Sequence, residues 1–257
     1  MSLVLYNTSN RIASITLNRE EKRNALSPDL VQALKDAFDR AAKDDEAKVI
    51  ILKGGKQAFC AGADLAYLQS LQSFTYEENL ADSHHLKELF LKIYTHPKVV
   101  IAQVEGPALA GGCGLANVCD FCFAVPEAKF GFTEVKIGFI PAMVMVFLIR
   151  KIGESNAKQL LLSGKLIDAT EARRMALVHE VYEADKIEDL VNKFAASLVK
   201  NNSLEAMQMT KRMIGAVQDL SLDEALQYTA RMNAEARASD DCKKGISAFL
   251  NKENLTW

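Results

Sequence analysis

Three stretches of this 257-residue chain combine residue types that can do chemistry. The first is Phe59-Cys60-Ala61-Gly62-Ala63-Asp64-Leu65 and the second runs from Gly106 to Gly114. Each follows a continuous apolar run, Val49 to Leu52 and Val99 to Val104, and each precedes a helical pattern. Turns of small residues let main-chain N–H groups come close to a ligand. At a helix start those groups are unpaired and lie at the positive end of the dipole. Two such turns side by side would aim two donors at one oxygen, which is how an oxyanion is stabilised. Tight packing of helix on strand would equally explain either turn alone. The third stretch, Phe130 to Pro141, holds Glu134 among apolar residues. Burial raises a carboxyl pKa, as acid–base work near neutral pH requires. An exposed glutamate paired with Lys136 is the other reading of that stretch.

The elements that must position these turns read as follows. Leu3 to Tyr6 and Ile12 to Leu17 form a hairpin around Thr8, Ser9 and Asn10. Ser27 is an N-cap with Pro28 at the first helical position, and Leu30, Leu34, Phe38 and Ala41 give the helix one apolar face. Val49–Leu52 and Val99–Val104 read as strands buried on both faces. Helices are expected at 77–94, 141–152 and 155–163, a short one from Leu115, and a further strand at Phe121–Val125. Strand–strand–helix units recur, and no G-x-G-x-x-G follows the first strand, so a dinucleotide fold is not indicated. Residues 1–200 form the core. No strand-like run follows Val181, and residues 201–257 read as a helical appendage. It comprises a stripe from Leu204 to Val217, a Ser221/Glu224 capping box opening the next helix, and a third helix at Asp241–Leu250. Their one-sided apolar faces need the body or a neighbouring subunit to cover them.

Composition narrows the function. Thirty-one basic and 33 acidic residues leave a formal net charge of -2, which argues against nucleic acid or an anionic membrane as partner. The longest apolar run, Phe139–Ile149, contains Pro141 and is shorter than the ~20 residues a span needs. The start of the chain does not read as a secretory signal. Five cysteines at irregular spacing, with a lone Cys119-x-x-Cys122, read as reduced core thiols of a cytoplasmic protein rather than a zinc site. His84, His85, His96 and His179 show neither metal spacing nor a nucleophile partner.

Taken together, the motifs resemble the crotonase (enoyl-CoA hydratase/isomerase) superfamily. The likeness is carried by ITLNR (15–19), RNAL (23–26), AFCAGADL (58–65), VEGPALAGGCGLANVCD (104–120), KFGFTEVKIGFIP (129–141) and ARRMALVHEV (172–181). It implies an α/β spiral of β-β-α units with a C-terminal helical trimerisation region, as a homotrimer or a dimer of trimers. It also implies an acyl-CoA thioester substrate, with no cofactor beyond the coenzyme A that the substrate carries. By position, the N–H groups of Ala61 and Gly111 would form the oxyanion hole and Glu134 would be the catalytic carboxylate. Ala61, Gly62, Ala63 and Asp64 would face the coenzyme's adenine, and Lys22 and Arg23 would flank the nucleotide. Phe249 and Lys252 resemble the pair that reaches the coenzyme of an adjacent subunit.

One departure bears on the reaction. Hydratases of this family carry two glutamates twenty positions apart, and here the first position is Gly114. Ala110 also replaces the first glycine of a triple-glycine turn, a smaller change. The likeness is nearest to bacterial methylglutaconyl-CoA hydratases, through Gly114-Leu115, Thr133 to Ala142, Arg150 and Ile152-Gly153-Glu154. A hydratase is favoured. A Δ3,Δ2-enoyl-CoA isomerase using one glutamate and a non-catalytic acyl-CoA binder are the alternatives. Glu154, Asp64 and Glu77 are candidates for a second acid, and residues 66–80, with Tyr67, Phe74 and Tyr76, for the specificity element.

Overall fold

The structure, a computed structural model, describes residues 2–257. Its frame is a six-stranded sheet whose strands enter almost in chain order. β1 (Val4–Ser9) pairs antiparallel with β2 (Ile12–Leu17). β3 (Val49–Lys53), β4 (Val99–Val104), β6 (Phe121–Ala124) and β9 (Glu180–Val181) then add in parallel. Between them in the chain lie β5 (Ala108–Leu109) and β7 (Lys129–Gly131), which join β8 (Ile167–Asp168) in a smaller second sheet. All six residues of β4 are buried. That is why its sequence is apolar throughout rather than alternating. The β1–β2 turn is tighter than expected: β1 runs on through Thr8 and Ser9, and Asn10 and Arg11 turn the chain at φ 51° and 61°. Two positive φ values in succession match the twist of a two-residue hairpin.

Helix α1 (Pro28–Lys43) starts where Ser27 Oγ accepts from Leu30 N–H. It buries Leu30, Val31, Leu34, Ala37, Phe38 and Ala41. Each large apolar side chain so buried contributes about 1.5–3 kcal/mol. Between β3 and β4 come α2 (Leu65–Leu71) and α3 (Tyr76–Tyr94), the second opened by a Thr75/Glu78 capping box. Helix α4 (Gly111–Val118) separates β5 from β6. Next come α5 (Ala142–Ser163), broken at Gly153 as the two expected segments require, and α6 (Ala169–Arg174). α7 (Ile187–Asn201) lies across β2, β3, β4 and β6. Lysines from neighbouring segments close two helix ends. Lys98 Nζ donates to Ala41 O at 2.6 Å, and Lys151 Nζ to Asn117 O and Cys119 O at 2.9 Å. Those carbonyls lack intrahelical donors, and the cations complement the dipole. The chain ends in α8 (Leu204–Ala216), α9 (Leu222–Ala238) and α10 (Asp240–Leu250). Lys211 of α8 fastens this group to the sheet through Asp120 at 2.7 Å.

Candidate active site

The three chemistry-bearing turns meet along the second sheet and its extensions. Leu26 bridges to Ala63, Cys60 bridges to Ala108, and β5 pairs with β7, so four segments lie side by side. Three of them deliver a functional group: Ala63 N–H at the bridge itself, Gly111 N–H two residues after β5, and Glu134 three residues after β7. The approach is close enough to need glycine. A Cβ on Gly112 would stand 2.1 Å from Cys60 O, and Gly62 has φ +95° with a Cβ position 2.9 Å from Leu109 O. Only glycine is free of a Cβ there and tolerant of positive φ.

Tracing each main-chain donor corrects one expectation. Ala61 N–H is already used, donating to Arg23 O at 3.0 Å. Gly62 N–H faces Cys60 Sγ, and Asp64 N–H donates to Leu26 O at 3.0 Å. In this parallel bridge Leu26 uses its own N–H and C=O to bond Gly62 O and Asp64 N–H, the neighbours of the residue it faces, and that residue turns its own groups away. Ala63 is that residue, and among the described residues no hydrogen bond uses its N–H. The free donor of the first turn is therefore Ala63, two residues beyond the expected Ala61. The N–H of Gly111, the other expected donor, is also unspent. As the first residue of α4, Gly111 has no intrahelical acceptor, and among the described residues no other partner takes its N–H. The residue before it, Ala110, has φ 50° and ψ -124°, a conformation that favours glycine.

Glu134 opens a 3₁₀ turn, Glu134–Ile137, whose end is tied back by Phe139 N–H donating to Glu134 O at 3.0 Å. Its carboxylate is half-buried, and Oε2 is buried without a hydrogen-bond partner. Burial pushes its pKa up. An ionised oxygen in that position lacks compensation, so the site favours a group that takes up a proton. Ala63, Gly111 and Glu134 line one cavity of about 200 Å³, with Leu68, Phe90 and Val144 among its apolar walls. The exposed, Lys136-paired reading of Glu134 does not hold: Lys136 is exposed and lies outside the cavity lining.

The remaining expected residues divide clearly. Arg23 and Lys22 are exposed beside the first turn, with Arg23 held at φ 51°. Asn24 pins that segment from inside: its Nδ2 donates to Ala58 O and Phe59 O, and its Oδ1 accepts from Arg19 N–H. Asp64 is committed to structure. It pairs with Arg19 at 2.7 Å, and its Oδ1 caps α2 by accepting from Ala66 and Tyr67 N–H. The Arg19 hydrogen bond, ahead of those caps, holds its carboxyl below the usual carboxylate range. Phe249 is 83% exposed, and neither it nor Lys252 lines the cavity of its own chain. Cys60 and Cys113 are fully buried, and burial pushes both thiols up, Cys60 to about 12, so neither is a reactive thiolate. All five cysteines are free, and among the described residues no cluster of metal-binding side chains forms. Nor is any described helix long and apolar enough to cross a membrane.

Of the candidate second acids, none reaches the cavity as a free group. Glu154 pairs with Lys158 on the exposed side of α5, Glu77 is exposed in the first turn of α3, and Asp64 is occupied as described. Position 114 is closed as well: a Cβ there would stand 2.4 Å from Val144 Cγ1. The acid that does line the cavity is Asp82 of α3, bonded to Tyr67 of α2. No periodic signal marks either residue in the sequence.

This geometry has close relatives. A family model described as enoyl-CoA hydratase/isomerase matches residues 7–257. A Thermus thermophilus relative, provisionally named an enoyl-CoA hydratase, is 40% identical over 241 residues, covering 94% of this chain and 95% of that one. Crotonyl-CoA hydratase of Syntrophomonas wolfei is 34% identical over 256 residues, covering 99% and 97%. The crystal structure of an enoyl-CoA hydratase from Shewanella pealeana superposes with a TM-score of 0.94 at 26% identity, covering 99% of this chain and 96% of that one. A spiral that sets two unspent main-chain donors and one buried carboxylate around a single cavity, matched along its length by these proteins, belongs to the enoyl-CoA hydratase/isomerase family, the crotonase superfamily.

Proposed function

We propose that the chain hydrates a 2-enoyl-CoA, with the thioester oxygen held by Ala63 N–H and Gly111 N–H and Glu134 as the proton-handling group. Water adds its oxygen to C3 and gives one proton to Glu134. The displaced electron pair moves through C2 to the thioester oxygen, and the resulting enolate takes a proton at C2 from Glu134. Each preorganised donor stabilises the developing charge by about 3 kcal/mol. The single observation that carries this reading is the Glu134 carboxyl, buried and without a partner at Oε2, in one cavity with two unused N–H groups. A purely binding protein has no use for such a group, since an unpaired buried acid costs stability.

The finer reading is 3-methylglutaconyl-CoA, an intermediate of leucine degradation. It rests on the likeness at Thr133–Ala142 and Arg150–Glu154, and on a substrate that brings its own carboxylate to a site lacking one at position 114. The same gap favours one competing activity, Δ3,Δ2-enoyl-CoA isomerisation, in which Glu134 moves a proton from C2 to C4 and needs no second acid. The coenzyme would run past Lys22, Arg23 and the 61–64 turn, met by Phe249 and Lys252 of an adjacent subunit in a cytoplasmic trimer or hexamer. Support for that assembly comes from exposed apolar side chains near the site and at the chain end, among them Ile137, Ile140, Leu222 and Phe249.

The test follows the conjugated-thioester absorbance with 2-enoyl-, 3-enoyl- and 3-methylglutaconyl-CoA. Loss of absorbance with water addition identifies a hydratase, and gain from the 3-enoyl substrate an isomerase. Glu134→Gln should lower turnover by about 10²–10⁴-fold with coenzyme A binding retained. Full activity in that variant refutes the reading.

A further inference from the structure

Hydration leaves one task unassigned. Glu134 accepts one proton of the water, but the water's other hydrogen must also be held so that its lone pair faces C3. Position 114 offers nothing, because it is glycine and a Cβ there would already stand 2.4 Å from Val144 Cγ1. Asp82 is half-buried on α3, and among the described residues it is, besides Glu134, the one carboxylate lining the cavity. Among the described residues no lysine, arginine or histidine forms an ion pair with it. Its partner is Tyr67, whose hydroxyl donates to Oδ1 at 2.6 Å and which lines the same cavity.

Tyr67 is firmly placed. Its ring meets Phe74 edge-on at 6.5 Å between centroids. Its N–H donates to Asp64 Oδ1, and Asp64 is in turn paired with Arg19. The phenol is thereby fastened to the turn that presents Ala63 N–H. A phenol that donates its proton to a carboxylate has an oxygen enriched as an acceptor, since hydrogen bonds in a chain polarise one another. Burial first, and then Asp82, push the phenol's pKa up to about 12, so the hydroxyl keeps its proton throughout the neutral range.

We infer that the Tyr67–Asp82 pair is the second water-positioning element of this site, accepting the hydrogen that Glu134 does not take and so replacing the carboxylate missing at position 114. The inference rests on the hydratase reading and adds to it the holder of the water. The balance is simple. One water proton passes to Glu134 and on to C2, the oxygen bonds to C3, and the second proton stays on that oxygen as the product hydroxyl. Tyr67 and Asp82 end as they began, so they are positioning residues and exchange no net proton.

The test uses Tyr67→Phe and Asp82→Asn in the full chain, with two readouts. One is hydration of a 2-enoyl-CoA. The other is exchange of the C2 protons of a saturated acyl-CoA in heavy water, which needs Glu134 and the two N–H donors but no attacking water. Each variant should lose about 10²-fold in kcat for hydration while KM and the exchange rate stay within about threefold. Glu134→Gln should lose both reactions. Hydration at the wild-type rate in both variants overturns the inference and leaves the hydratase reading intact. Equal loss of hydration and exchange also overturns it, because that pattern marks a merely structural role. A wild-type protein that exchanges the C2 protons but hydrates no 2-enoyl-CoA overturns the hydratase reading itself.

Discussion

Gly114 is the position where adding a side chain tests the site most directly. A Cβ there would lie 2.4 Å from Val144 Cγ1 and 3.2 Å from Phe90 Cζ. Carbon atoms pack at about 3.5–4.0 Å, so the first overlap exceeds about 1 Å. Val144 is 4% exposed and Phe90 0%, so neither has open space to move into. Overpacking of this kind costs about 1–3 kcal/mol. Replacing a helical glycine by alanine returns up to about 1 kcal/mol, which leaves Gly114→Ala destabilised by up to about 2 kcal/mol. Gly114→Glu adds a carboxylate among apolar walls and should lose about 3 kcal/mol or more, with no gain in hydration. Val144→Ala removes the clashing methyl, so Gly114→Ala/Val144→Ala should be more stable than the sum of the single changes by about 1 kcal/mol. Urea unfolding followed by circular dichroism measures the wild type and all four variants, provided the m-value is unchanged. The packing argument fails if Gly114→Ala unfolds at or above the wild-type midpoint, or if the two changes add within about 0.5 kcal/mol.

Other expectations follow from backbone strain and burial. Ala110 at φ 50° and ψ -124° occupies the first central position of a II′-like turn, so Ala110→Gly should stabilise the protein by about 1 kcal/mol, seen as a rise of about 2–4 °C in Tm. An unchanged or lower Tm would show the strain to be unreal. His96 is buried, its Nε2–H donating to Phe38 O and its Nδ1 accepting from Lys98 N–H, and burial followed by the Lys211 charge lowers its pKa to about 4. The unfolded chain therefore takes up a proton near pH 6.5 that the folded one refuses. Stability should fall as pH drops from about 6.5 toward about 4, by about 1.4 kcal/mol per pH unit from this group, and be fully present above that window. His96→Gln should lack that part of the slope in urea titrations across the same range; parallel slopes would contradict the assignment.

Much of this architecture is legible in residue order because it depends on local periodicity and on burial. Val99–Val104 is apolar at every position and is buried at every position. Ser27-Pro28 and Ser221/Glu224 mark helix starts that form as read, because capping is settled within one turn of chain. The strands β5, β7, β8 and β9 are two or three residues long, too short for a period, and exist only because neighbouring segments supply their partners. Residues 66–80 carry no clear pattern, yet they hold α2 and the start of α3, fixed by an Asp64 cap and a Thr75/Glu78 box.

The site divides along the same line. Residue types mark two small-residue turns and one glutamate as candidates, and the resemblance of the motifs to a known family implies that they belong together. Which main-chain N–H stays free is decided only in three dimensions. Arg23 O, brought across from a separate turn, consumes the Ala61 donor, while the Leu26 bridge turns Ala63 outward. The closure of position 114 by Val144 and the meeting of Tyr67 with Asp82 are likewise products of helices packing together. Hydrogen-bond satisfaction and steric exclusion are properties of pairs of groups, and those pairs are distant in sequence until the fold assembles them.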